Sequence, residues 1–112
     1  MGKFVITQRV NKEYQFNLKA ANGEIILTSE GYVQKASCIK GIESVKINSQ
    51  DDSRYDRREA VNKKDYFVLK ARNGEIIGKS QLYSTKSGME NGIASVKQNA
   101  PKAEITDETL KK

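Results

Sequence analysis

The pentapeptide Asn22-Gly23-Glu24-Ile25-Ile26 returns as Asn73-Gly74-Glu75-Ile76-Ile77, 51 positions later (73 less 22), and the same offset runs through the chain without a gap. It pairs Val10-Asn11-Lys12 with Val61-Asn62-Lys63, and Phe16, Leu18, Lys19 and Ala20 with Phe67, Leu69, Lys70 and Ala71. Further on it pairs Ser29 and Tyr32 with Ser80 and Tyr83, Lys35 with Lys86, Gly41-Ile42 with Gly92-Ile93, Ser44-Val45-Lys46 with Ser95-Val96-Lys97, and Asn48 with Asn99. About half of the aligned positions are identical. Such a period is read before anything else, because both copies must build the same unit.

At 112 residues the chain has the length of one domain, and each copy alone sits near the size at which small folds need disulfides, metals or a partner. The two copies are therefore expected to share one core in a single domain spanning 1–112. Repeat one covers about 2–51, repeat two about 52–105, and the charged end 106–112 is expected to fray.

Within copy one, Tyr14, Phe16 and Leu18 alternate with Gln15, Asn17 and Lys19, the period-two pattern of a half-buried strand. Copy two keeps Phe67 and Leu69 on that face but carries Tyr66 and Val68 on the other, which predicts a partly covered outer face there. The Asn22-Gly23 and Asn73-Gly74 dipeptides, followed by β-branched pairs, predict a hairpin of type I′ in each copy. Cys38, Ile42 and Val45, matched by Met89, Ile93 and Val96, fall at i, i+4, i+7 and predict a helix with Ser84 or Thr85 as a cap in copy two. Asn48 and Asn99 stand where left-handed C-caps are expected. Gly41 and Gly92 inside the helices cost about 1 kcal/mol each against Ala and so imply close backbone packing against the sheet or the other helix. Phe4-Val5-Ile6 reads as a strand, Asp51 to Glu59 as part linker and part edge strand, and Ala103 to Thr106 as a short final strand. The fold class is α+β: a tandem duplication of a β-β-β-α(-β) unit forming one antiparallel sheet, with both helices packed on one side.

That order, with Asn-Gly-Glu-Ile-Ile, Ser-x-x-Tyr and Gly-Ile-x-Ser-Val-Lys at matching distances in both copies, closely resembles the YegP-like family of small bacterial proteins over nearly the whole chain. The resemblance implies one sheet with exchanged C-terminal strands, and a monomer as the covalent form of a dimer of single units. It implies no catalytic residues and no established biochemical function.

Chemistry is bounded by composition. Cys38 is the single cysteine and histidine is absent, which excludes an internal disulfide and an ordinary zinc site and suits a reducing compartment. The N-terminal residues lack the apolar core of a signal peptide, and no stretch approaches the roughly 20 apolar residues of a membrane span. The expectation is a cytoplasmic, soluble monomer without cofactor or metal. No nucleotide-binding loop, Ca²⁺-loop spacing or serine-nucleophile elbow is present.

The net charge of +6 and pI near 9.4 direct attention to anionic partners, although Lys and Arg are scattered among acids. Lys19 and Lys70 project away from the Phe/Leu face, with Arg72 beside Lys70 and with Lys46 and Lys97 as a further matched pair. A pseudo-twofold is expected to gather the strand lysines on one basic, helix-free sheet surface suited to phosphate; the bland reading is that they prevent edge pairing and keep the chain soluble. Tyr66-Phe67-Val68-Leu69 resembles an aromatic RNA-binding strand only loosely, and Phe67 is expected in the core. Glu24 and Glu75 are the only acids present in both copies and form a carboxylate pair only if symmetry brings them together. Cys38 shares its stripe with Met89 and reads as a core thiol, although Lys35 nearby is a cation that favours a thiolate.

The reading is a non-enzymatic binding or accessory domain that contacts an anionic partner such as nucleic acid. The alternatives are a protein-protein adaptor using a sheet edge or the loops at Tyr32 and Tyr83, and a small enzyme using Glu24 and Glu75.

Overall fold

The computed structural model describes residues 2–110. Copy one forms β1 (Lys3–Gln8), β2 (Tyr14–Lys19), β3 (Ile25–Thr28) and α1 (Lys35–Asn48). Copy two forms β4 (Tyr55–Glu59), β5 (Asp65–Lys70), β6 (Ile76–Lys79) and α2 (Lys86–Asn99), followed by β7 (Glu104–Asp107). One sheet of seven strands runs β4-β5-β6-β3-β2-β1-β7. Every pair is antiparallel except β1 with β7, where the strand after α2 crosses the molecule and aligns parallel to the first strand of copy one. The sheet is thus mixed at one edge, and the C-terminal strand of copy two completes copy one.

The helix stripes and the strand alternation meet in a single core. Phe4, Ile6, Phe16, Leu18, Phe67 and Leu69 lie against Cys38, Ile42, Val45, Met89, Ile93 and Val96, all buried. Helix α1 packs on β2, β5 and β6, and α2 on β3 and β5, so each helix spans both copies. The aromatic packing is duplicated too. Phe4 meets Phe16 edge-on at 5.7 Å and Tyr55 meets Phe67 at 5.6 Å. The Tyr55 hydroxyl adds a hydrogen bond to the Ser49 carbonyl at 2.9 Å. The polar-looking start of copy two is accordingly a strand, with Tyr55 inward and Asp56 and Arg58 outward.

The hairpin turns are tighter in chemistry than a type I′ assignment. Gly23 N–H donates to Ala20 O and Ala20 N–H to Glu24 O, Gly23 alone takes positive φ (+88°), and the Asn22 side chain accepts from Glu24 N–H at 3.0 Å. This is a type I turn closed by a left-handed residue, with a bulge between Leu18 and Lys19, and Asn73-Gly74 repeats it. The β1–β2 and β4–β5 turns have the same hydrogen bonds but put Lys12 (φ 72°) and Lys63 (φ 67°) in the left-handed place.

Ser29 and Ser80 recur because each hydroxyl stands in for a sheet partner. Ser29 Oγ accepts from Phe16 N–H at 2.9 Å and donates to Glu30 O at 2.8 Å, and Ser80 does the same for Phe67 and Gln81. Tyr32 and Tyr83 recur because their rings stack on Phe16 and Phe67 and lie across the glycines of the helices. A Cβ at Gly41 would sit 2.5 Å from the Tyr32 hydroxyl oxygen, and Gly92 faces Tyr83 likewise. The close packing therefore comes first from a tyrosine of the same copy, joined at Gly41 by Phe16 of the sheet at 3.2 Å, rather than from the other helix.

Thr85 caps α2 by accepting from Gly88 N–H, whereas Gln34 before α1 makes no side-chain cap. Asn48 and Asn99 are not left-handed C-caps. Each turns its amide back to donate to the carbonyl of Ser44 or Ser95 at 2.8 Å, and the chain continues through right-handed residues. Nor is the chain loose from residue 106. Thr106 and Asp107 belong to β7, a 3-10 turn follows at Glu108–Leu110, and Lys35 pairs with Asp107 at 2.8 Å. Residues 111–112 of the expected frayed tail lie outside the described residues.

Two stability measurements check these assignments. Gly41→Ala, favourable by about 1 kcal/mol in an open helix, is expected to destabilise by about 1–3 kcal/mol because the methyl is driven into the Tyr32 ring. Lys63→Gly is expected to stabilise by about 0.5–1 kcal/mol, the relieved left-handed strain outweighing the glycine's extra unfolded-state freedom. Urea denaturation reads both.

Candidate functional site

The face of the sheet away from the helices is set by alternation. Lys3, Gln15, Asn17 and Lys19 stand on it from copy one, and Asp56, Arg58, Tyr66, Val68, Lys70 and Lys79 from copy two. Lys3 lies directly opposite Lys19, a like-charge pair that costs stability rather than adding to it. Val68 is 2% exposed and Tyr66 half-buried, so copy two's outer face is partly covered as its sequence implies.

Lys19 and Lys70 share this face as expected, but symmetry does not bring them together. β3 and β6 meet in only one pair, Thr28 with Lys79, so each runs away from the junction toward its own corner. Three strand spacings and that stagger put Lys19 and Lys70 roughly 25 Å apart. Arg72 sits exposed in the turn at the Lys70 corner. Asp56 pairs with both Lys70 (3.4 Å) and Arg58 (2.9 Å), and those contacts, the Arg58 hydrogen bond foremost, hold its carboxyl below the usual range.

Lys46 and Lys97 are a second correction, because they ride the helices on the opposite side. Lys46 covers the Phe4 ring at 5.9 Å, and Lys97 covers Tyr55 at 5.6 Å and pairs with Asp52 at 2.9 Å. Hydrogen bonds from Lys97 and Arg57 hold the Asp52 carboxyl below its ordinary range. Arg57 also grips Glu90 of α2 through two hydrogen bonds. These cations fasten β4 and its preceding turn to α2 and belong to no common anion site with Lys19 and Lys70.

Glu24 and Glu75 are likewise separated. Each is exposed in its own hairpin turn, four residues from the single shared rung and on opposite sides of it, which places them roughly 25 Å apart. Burial first raises the Tyr32 and Tyr83 phenols; the charges of Cys38, Glu30 and then Glu75 add to it at Tyr32, and at Tyr83 a Gln81 hydrogen bond opposes it while the Glu24 charge adds to it. No carboxylate pair forms between Glu24 and Glu75. Cys38 is fully buried, and burial followed by the Asp107 charge pushes its thiol up to about 11, the reverse of nucleophile activation. Lys35 is turned to Asp107 and the Tyr14 ring.

The feature that sequence reasoning missed is the groove at the junction. An open concavity of about 640 Å³ lies where β3 and β6 share their single rung, lined by Arg9, Ile25, Arg58, Tyr66, Ile76 and Lys79 among others. Lys79 Nζ lies over the Tyr66 ring at 5.1 Å, and Ile25 is 41% exposed at the rim. Arg9 arrives from the β1–β2 turn, held by Gln15 and, at 3.9 Å, by Glu13. Its carboxylate neighbour in the lining is Glu30. Among the described residues no carboxylate pairs with Lys3, Lys19 or Lys79. Tyr66 and Lys79 occupy positions held by Gln15 and Thr28 in copy one, and that departure between copies was the available signal.

The geometry defines a tandem-duplicated α+β repeat domain with one helix-covered face and one open face. The chain belongs to the family described as Domain of unknown function (DUF1508), which it matches twice, over residues 10–56 and 60–107. It is 49% identical over 107 residues to the UPF0339 protein PA0329 of Pseudomonas aeruginosa, covering 96% of this chain and 97% of that protein. To the UPF0339 protein YegP of Escherichia coli O157:H7 it is 49% identical over 108 residues, covering 96% and 98%. The solution NMR structure of yegP from E. coli, a protein of unknown function, superimposes with a TM-score of 0.91 at 48% identity, covering 96% of this chain and 92% of that one. That of the UPF0339 protein SO3888 from Shewanella oneidensis gives 0.90 at 46% identity, covering 95% and 90%. The resemblance read from the repeat motifs is borne out, and these relatives bring a fold and no activity. Among the described residues no helix is long and apolar enough to cross a membrane.

The buried thiol gives a direct check. Because the folded state holds Cys38 above its ordinary value of 9.0, at about 11, its contribution to stability is intact below pH 9 and is lost as pH rises toward 11. Cys38 is expected to resist Ellman's reagent at pH 8 in the folded protein and to react at once in denaturant, while Cys38→Ser flattens the alkaline loss of stability.

Proposed function

We propose that this protein is a non-enzymatic, monomeric binding domain of the cytoplasm that contacts an anionic polymer, nucleic acid, through the helix-free face of its sheet. The observation that carries this reading is the charge arrangement there. Lys3, Arg9, Lys19, Arg58, Lys70, Arg72 and Lys79 stand on the face or its margins, against the carboxylates Glu13, Glu24, Glu30, Asp56, Glu75 and Glu104, the last directly beside Lys3 on β7. Of these, Lys3, Lys19 and Lys79 have no carboxylate partner among the described residues, and cations so placed on a broad open surface suit phosphate contacts, which position a nucleic acid without reading its sequence. A carboxylate-pair enzyme is disfavoured by the separation of Glu24 from Glu75. An adaptor using a sheet edge or the tyrosine loops is disfavoured because β4 is charged from Asp56 to Glu59, β7 carries an acid at each end, and the Tyr32 and Tyr83 rings are packed inward.

The test is a fluorescence polarisation titration of labelled single- and double-stranded DNA and RNA. Between about 50 and 200 mM salt, three or four phosphate contacts weaken binding roughly 20- to 150-fold. Lys19→Glu is expected to weaken it further, whereas Lys40→Glu, an equal charge change on the exposed side of α1, leaves it nearly unchanged. Flat titrations at low salt, or equal effects of the two substitutions, contradict the reading.

A further inference from the structure

The duplication makes the two halves of the open face internal controls for each other. On the strands β2 and β5 the helix-facing Phe16 and Leu18 match Phe67 and Leu69, although Tyr14 gives way to Asp65, and on the open side Lys19 matches Lys70. Away from the helices the copies part: Gln15 is replaced by Tyr66, Asn17 by Val68, Thr28 by Lys79 and Thr7 by Arg58. Val68 is buried on that face, but core packing does not dictate the other three. The four replacements nevertheless converge. Arg58 is the cross-strand partner of Tyr66, Lys79 is that of Val68, and the Lys79 ammonium lies 5.1 Å from the Tyr66 ring centre.

Together they build one wall of the groove, with exposed Ile25 of copy one at the rim and Arg9 across the junction. Tyr66 stacks on no other aromatic ring, unlike Tyr32, Tyr55 and Tyr83, which are all paired with phenylalanines. A half-buried phenol ring beside Lys79, which no carboxylate among the described residues pairs, the Asp56-paired Arg58 and aliphatic carbon is the composition of a base-stacking site, since every base offers a π-face and each stacked base contributes appreciably to binding. The shape favours a single strand. Both helices lie on the other side of the sheet, so no helix projects from this face to enter a duplex groove, whereas an unstacked base can lie flat in the concavity. The basic residues also extend well past the groove to the Lys3/Lys19 and Lys70/Arg72 corners, farther than one free nucleotide reaches.

We propose that the copy-two half of the face is the stacking site for a base of a single-stranded nucleic acid, an inference that rests on the reading above and gives it a strand type and a location. Tyr66 carries the base. Lys79, on a flexible stem, leaves the ring for the strand's phosphate, and Arg58 and Arg9 flank it. Copy one, with Gln15 and Thr28 at the equivalent places, supplies charge and no stacking.

The test uses the full chain and a labelled oligo-dT strand of about 12 nucleotides, within the usual span of such sheet surfaces, beside its duplex with oligo-dA. The strand is expected to bind more tightly than the duplex. Tyr66→Gln, which installs the residue copy one carries on the same strand face, is expected to weaken strand binding about 10-fold with the salt dependence unchanged, and Tyr66→Phe to retain it. Lys79→Thr, again the copy-one residue, is expected to lower the salt slope by about one. Salt-dependent strand binding that Tyr66→Gln leaves intact, or equal binding of strand and duplex, overturns the stacking site while the basic-face reading stands. No binding of either probe at low salt overturns both.

Discussion

The fold depends on one asymmetric contact at its pseudo-twofold axis. Residues 27 and 78 are equivalent in the two copies, yet one is leucine and the other glycine. The Leu27 side chain lies over Gly78 so closely that a Cβ there would come within 2.6 Å of it. Two leucines at these places have no room to coexist near the axis. Because β3 and β6 share only the Thr28–Lys79 rung, backbone pairing contributes little across the junction. Leu27 over Gly78, with α1 and α2 each bridging both copies, is what makes two small units one core.

The same junction shapes the open face. A sheet fully paired across its centre leaves no concavity there, whereas a single rung with both strands diverging leaves a groove that Arg58, Tyr66 and Lys79 line on one side and Arg9 and Ile76 on the other. Duplication thus does two separate things. On the helix side, Leu27 over Gly78 apart, it repeats much of the packing, down to each tyrosine lying across a helical glycine and each serine replacing a sheet partner. On the open side it provides two equivalent half-surfaces, one of which has acquired an aromatic ring and two cations.

Much of the fold was legible because periodicity reports burial. The Phe/Leu alternation, the helix stripes and the shared core follow from patterns present in both copies, and the recurring glycines announced close packing. Their partners did not follow, because tyrosines nine positions before the glycines lie in loops that have no period. The turn type escaped because Asn-Gly fits either a type I′ turn or the last two places of a type I turn with a bulge, and the hydrogen bond from Glu24 N–H to the Asn22 side chain decides between them. The candidate site was legible only as a face. Alternation put Lys19 and Lys70 on one side, but their separation depends on how β3 meets β6, a non-local contact that no spacing encodes, and Lys46 and Lys97 were grouped with them by matching rather than by geometry.

The most direct measurement of the shared-core account is a double-mutant cycle across the axis, with Gly78→Leu, Leu27→Gly and the combined swap compared by urea denaturation. The account predicts that Gly78→Leu alone costs about 2–3 kcal/mol through overpacking and that the swap recovers most of the loss, because one leucine and one glycine again meet at the junction. Penalties that simply add in the double variant would contradict it and leave the two copies as neighbours rather than halves of one core.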